Sequence, residues 1–146
     1  MSGPTDPAEA HFDKGLWGFD GTAWRKLQLL FGYGAGYYER VEVSDAGAGN
    51  YTVVGSTVPD DEVWVVNSAM MFASVAAANV CEIHVGIAAA RYYLSLTGSL
   101  AALSVLQYQG FVVLAPGYHI GAYWEALAAS NVKYLTIVGF KMGLNL

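Results

Sequence analysis

Charge is scarce in this chain. Charged side chains make up 13% of its 146 residues, about half the share found in typical soluble domains. Nor are they evenly spread: Glu82, Arg91, Glu125, Lys133 and Lys141 are the only ones after Val63. Basic residues are few, seven in all, and the net charge is −5. Nucleic-acid binders carry a basic patch or stripe, because phosphate contacts dominate their affinity. Here only Arg25 and Lys26 are adjacent, so nucleic acid is excluded as a direct partner. Cysteine occurs once, at Cys81, so no disulfide forms within the chain. A long unbroken apolar run is also missing. Val63 to Cys81 is interrupted by Asn67, Ser68, Ser74 and Asn79, and Tyr92 to Trp124 by Gly, Gln, Pro and His. A membrane-spanning helix needs about 20 predominantly apolar residues, so no membrane partner is expected. Met1 to Lys14 has three acids and no apolar core, unlike a secretory signal.

What the chain has is apolar and aromatic. Hydrophobic residues reach 55%, with 10 Tyr, 6 Phe and 4 Trp. That composition opposes disorder and supports one domain with a sizeable core. An apolar chain with so little charge must cover its surface to stay dissolved. Oligomerisation is therefore the first functional expectation, since obligate interfaces are more apolar than ordinary surface.

From Ala23 onward the dominant period is two. Cys81, Ile83, Val85 and Ile87 alternate with Glu82, His84 and Gly86, the pattern of a half-buried strand. In that strand Cys81 reads as a small buried hydrophobe. Tyr37 to Val43 alternates likewise and meets a turn at Asp45 to Asn50. A second turn, Val58-Pro59-Asp60-Asp61, launches the β-forming run Glu62 to Asn67. Phe111 to Leu114 ends at Pro116-Gly117, and Tyr118 to Trp124 follows as its expected neighbour. Val132 to Phe140 is apolar on both faces; one face is expected in the core and the other against a neighbouring subunit. Ala73 to Asn79 and Ser99 to Gln107 have helical composition, but their surroundings favour strand or loop. Short strands at roughly ten-residue spacing predict an all-β fold. About eight strands fit a jelly-roll β-sandwich over residues 23–146, preceded by an extended arm over residues 1–22. The arm holds Phe12, Trp17 and Phe19 among Gly and Pro. Such aromatics either anchor it to another surface or fold it back on its own domain.

No constellation for catalysis emerges. There is no Gly-x-Ser-x-Gly elbow. Cys81 points to one strand face while Glu82 and His84 point to the other, which separates a thiol from its base. Asp60-Asp61-Glu62 is a solvated turn. Gly32 to Gly36 lacks the third glycine of a dinucleotide loop. His84, His119 and Glu125 invite comparison with the metal-binding cupins, but no second His flanks His84 to make their His-x-His pair. No enzyme activity, metal or cofactor is expected. The aromatics remain: Tyr118, Tyr123 and Trp124 read as subunit-interface anchors, or as platforms for stacking a glycan.

Several segments resemble small jelly-roll structural proteins of tailed-phage virions. VPDDEVWVVN (Val58 to Asn67) is similar to their Val-Pro-x-Gly-Glu-x-Trp-x-Val element, and WRKLQLLFGY (Trp24 to Tyr33) to their opening segment. GFVVLAPGYHIGAYW resembles their Gly-x-Val-x-Leu-x-Pro-Gly-Asp-x-Ile pair, and YLTIVGFKM (Tyr134 to Met142) their closing strand. Asp61 replaces a usual Gly and Tyr118 a usual Asp; both departures bear on turn geometry. The resemblance implies a virion protein without catalytic residues, assembled in the host cytoplasm. It implies a homotrimer that decorates the head and cements capsomers by binding the major capsid protein. A tail or head–tail connector part is the alternative location, and a carbohydrate-binding jelly-roll module the alternative class.

Overall fold

A computed structural model describes residues 16–19, 24–27 and 35–143. The fold is all-β, with no helix among the described residues. Two short strands, β1 (Leu16–Phe19) and β2 (Trp24–Leu27), pair antiparallel as a sheet of their own. They straddle the expected end of the arm at residue 22. Phe12 lies outside the described residues.

Eight further strands follow: β3 (Gly36–Asp45), β4 (Gly49–Val54), β5 (Glu62–Ala73), β6 (Cys81–Ile87), β7 (Ala90–Thr97), β8 (Leu106–Leu114), β9 (His119–Leu127) and β10 (Asn131–Gly143). They form two four-stranded antiparallel sheets, ordered β3-β10-β5-β8 and β4-β9-β6-β7. Nearly every connection crosses from one sheet to the other, which is the double Greek key of a jelly roll. The Ala- and Leu-rich stretches at 74–79 and 99–105 are connections, because neither is long enough or periodic enough to sustain a helix against its β surroundings.

Period two builds the core. Tyr37, Trp64, Val66, Ala69, Met71, Leu135 and Ile137 face inward from the first sheet. Val53, Cys81, Ile83, Val85, Ile120, Ala122 and Trp124 face them from the second. Each fully buried Val, Leu, Ile or Met side chain contributes about 1.5–3 kcal/mol. Two charged side chains enter this layer from its ends. Lys133 is buried on β10, hydrogen-bonded to Asn131 Oδ1, with its ammonium 3.8 Å from the Tyr51 ring centre. Lys141 lies 4.0 Å over the Trp64 ring. A positive charge over an aromatic face is tolerated because the ring quadrupole replaces part of the lost hydration.

Two expectations are corrected here. Phe111–Leu114 and Tyr118–Trp124 are not neighbours: the Pro116-Gly117 turn carries the chain between sheets, so β8 pairs with β5 and β9 with β4 and β6. Trp124 is 0% exposed in the inter-sheet core. It alternates with Ile120 and Ala122 on the inward side of β9, so its ring is unavailable to any partner. The departures at Asp61 and Tyr118 leave no left-handed residue at either site: among the described residues, the non-glycine positions with positive φ are Ala88, Leu103, Ala126 and Ser130.

Candidate functional site

Most exposed apolar side chains belong to two edge strands and their connection, where Tyr93 and Leu96 share the outer face of the second sheet and Phe111 and Val113 the outer face of the first. Eleven large hydrophobics are exposed among the described residues, and seven lie on β7, β8 and the connection between them: Tyr92, Tyr93, Leu96, Leu103, Val105, Phe111 and Val113. Both strands are sheet edges. Among the described residues, β7 pairs with β6 alone and β8 with β5 alone. The Ser95 hydroxyl donates to the Gln107 carbonyl at 3.0 Å, joining the two edges into one continuous side of the sandwich. Natural edge strands are blunted by charge, by Pro or by a covering element. Residues 92–115 contain no Asp, Glu, Lys, Arg or Pro. The opposite side differs, since its edge strand β3 carries Glu39, Arg40, Glu42 and Asp45.

The outer face of the second sheet carries a polar cluster. Glu82 and His84 point outward from central strand β6, yet both are buried. Arg91 on β7 donates to Glu82 Oε1 at 3.1 Å and lies 5.0 Å over the ring of Tyr123 on β9. His84 Nδ1 is 3.3 Å from the same carboxylate oxygen but is not aligned for a hydrogen bond. Two glycines make room for the imidazoles. The His84 ring lies over Gly121 and the His119 ring over Gly86, each filling the space a Cβ would occupy. Burial, with the nearby Arg91 and His119, lowers the His84 pKa to about 4; burial also lowers that of His119. At neutral pH both rings are therefore uncharged, and the Glu82–Arg91 pair is neutral overall. The face offers flat, uncharged rings flanked by a paired donor and acceptor.

A second polar group closes one end of the sandwich. Tyr37 donates to Glu39, which also accepts from the Ser56 amide and hydroxyl at 3.0 Å. Burial pushes the Glu39 carboxyl up, but these bonds and the Lys141 charge outweigh it and hold it below its ordinary value. This group is fully partnered within the chain. Among the described residues, no group of three or more His, Cys, Asp or Glu is arranged to hold a metal ion. Cys81 is wholly buried, and burial pushes its thiol up, opposite to the shift that activates a nucleophile.

The sequence-expected site residues do not converge. Tyr118 is half-buried against the core near the β8–β9 turn. Tyr123 is half-buried beneath Arg91 on the outer face of the second sheet, and Trp124 is in the core. Trp17 and Phe19 fall on β1, and their side chains are outside the described structure. Val105, Phe111 and Val113 carry no motif of their own; their only mark in the sequence is the uncharged run that contains them.

No known protein family matches the chain, and no curated protein sequence does. Three solved structures share part of its shape. A subunit of Bacillus endospore appendages, described as disulfide-linked pili, is 11% identical with a TM-score of 0.37, covering 82% of this chain and 97% of that one. A CBM4 structure is 13% identical with a TM-score of 0.34, covering 71% and 82%. The N-terminal cellulose-binding domain of a Cellulomonas fimi β-1,4-glucanase is 14% identical with a TM-score of 0.33, covering 71% and 76%. At these scores the likeness does not extend to a shared site.

Proposed function

We propose that this chain is a structural protein of a tailed-phage virion: a self-associating jelly roll, homotrimeric, that decorates the head and cements it by binding the major capsid protein. The observation that carries this reading is the uncharged apolar edge of β7 and β8. A cement protein needs no chemistry. It needs area to bury, and burial against an assembled shell stabilises that shell by mass action. The order of the motifs adds support. Val58 to Asn67 forms the turn into β5, Gly110 to Trp124 spans β8 and β9, and Tyr134 to Met142 lies on β10. The test is electron microscopy of phage shells incubated with the purified chain. Added density over the capsomers is expected. Density only at the tail or connector moves the protein there, and shells that bind none of it overturn the reading.

A second reading, glycan binding, has its own observation: the face made by the His119 ring and the Arg91 guanidinium, which is paired with Glu82 and lies over Tyr123, with Tyr93 64% exposed beside it. Rings and paired polar groups of this kind suit the alternating apolar and hydroxyl faces of a sugar. Binding on a glycan array that Tyr93→Ala abolishes would favour it over the virion reading, and an array without signal would remove it.

A further inference from the structure

We propose that copies of this chain meet through the outer face of the first sheet, the β8 margin of each against the β3 margin of the next. The inference rests on the homotrimer proposed above and adds the face that builds it. Strand register places Tyr38, Val138, Phe140, Phe111 and Val113 together on this face. On the outward side of β10, β5 and β8 no residue carries a charge. The face is charged only at β3, where Arg40 and Glu42 pair with each other at 3.8 Å. The outer face of the second sheet differs, since its own Glu82–Arg91 pair closes over it.

The middle of the face is already packed. Phe72 stacks on Tyr134 at 4.4 Å, and Phe111 meets Phe140 edge-on at 6.4 Å. Val65, level with Phe140 and Val113, is wholly buried yet lies outside the inter-sheet core. Side chains ordered in advance lose little freedom on association. The margins are open instead: Tyr38 at one is 68% exposed, and Phe111 and Val113 at the other are 69 and 60% exposed. Four strands about 4.8 Å apart, at about 3.4 Å per residue, give a footprint of roughly 700 Å². That is on the order of the ~800 Å² a partner contributes to a standard interface.

The occupant follows from the register. Gln107 is level with Arg40 across the sheet, through Met70 and Thr136. Gln109 is level with Tyr38, through Ser68 and Val138. A rotation axis parallel to the strands keeps every residue at its height. Copies turned about such an axis bring Gln107 to Arg40 and Gln109 to Tyr38, so side-chain amide oxygens meet a guanidinium and a hydroxyl. Phe111, next along the same margin, meets Tyr38 and Val138. A second copy therefore supplies both the apolar surface and the matching polar rim. The two margins are unlike, so the contact runs head to tail, and a head-to-tail contact closes as a ring. A two-fold axis across the strands would invert one copy and lose both matches.

The test is solution mass by light scattering after size exclusion, on the full chain and four variants. Phe111→Lys charges the β8 margin and Tyr38→Glu the β3 margin. A third variant carries both changes. Tyr93→Lys, on the outer face of the second sheet and about as exposed, is the control. All three sites are exposed, so each variant should keep its fold, verified by circular dichroism. Wild type and Tyr93→Lys are expected at three-chain mass. Phe111→Lys and Tyr38→Glu are each expected to fall to one-chain mass, or to weaken association at least tenfold. The double variant is expected to regain most of that loss, because the new opposite charges meet only between copies; within one chain three strand spacings, roughly 14 Å, separate them. A wild type of one or two chains overturns the proposal, as do single variants that stay assembled, or a Tyr93→Lys that dissociates in their place. A double variant no better than the single ones overturns the margin-to-margin contact. The virion reading fails separately. A chain that assembles through this face yet never binds shells refutes that reading and leaves this one standing; a monomer that binds shells does the reverse.

Discussion

At the scale of single residues, the outward histidines of the second sheet govern how the protein responds to acid. His84 is buried and uncharged, with Glu82, Arg91 and His119 around it. Its pKa falls from 6.5 to about 4. The unfolded chain therefore binds a proton at a higher pH than the folded chain does. Stability from this group is fully present above the ordinary value and is lost as pH falls from about 6.5 towards 4. The loss is on the order of 3 kcal/mol across that window. In His84→Gln, urea unfolding measured at several pH values should show a shallower decline over the same range. An unchanged slope would assign the dependence to other groups. Trp124 gives a second residue-scale expectation. Truncating a buried Trp costs about 3–5 kcal/mol, so Trp124→Ala should lower the denaturation midpoint whatever the oligomeric state. A Trp124→Ala protein as stable as wild type would contradict its place in the core.

At the scale of elements, the strands were legible and their partners were not. Alternation marks β6 because Cys81, Ile83 and Val85 share one face. The same rule places Trp124 inward with Ile120 and Ala122, had β9 been read by its alternation rather than by its aromatic content. Sheet membership is a different matter. Which strands pair depends on residues far apart in the chain, and a short turn such as Pro116-Gly117 serves a hairpin or a crossing equally well. The burial of Glu82 and His84 was hidden for a related reason. In sequence they look like the wet face of a strand, but β6 is central, and Arg91 and Tyr123 from its neighbours close over them. The turn after β6 yields a prediction at this scale. Ala88 adopts φ 49°, a left-handed conformation costing roughly 1–2 kcal/mol for a residue with a Cβ. Ala88→Gly removes that strain at an entropic cost of about 0.5–1 kcal/mol. Thermal melting should therefore shift upward slightly, and a clear downward shift would mean that the methyl group makes contacts outweighing the strain.

At the scale of the whole molecule, charge and apolar surface are separated, and that separation predicts how assembly responds to salt. The chain carries a net charge of −5, so copies repel one another at long range. The face proposed to join them holds one matched pair, Arg40 and Glu42, and no net charge to offset that repulsion. Added salt shortens the range of the repulsion, with a Debye length of about 30 Å at 0.01 M and 3 Å at 1 M. It leaves the burial of Phe111 or Val113 in place. Association should therefore hold or strengthen as sodium chloride rises from low to high concentration, as read by sedimentation at fixed protein concentration. An interface built on ion pairs, such as one recruiting Glu39, Arg40 and Glu42 on β3, would weaken over the same range. Dissociation at high salt would thus shift the contact from apolar burial on this face to ion pairs between β3 edges, and the direction of the change alone decides between them.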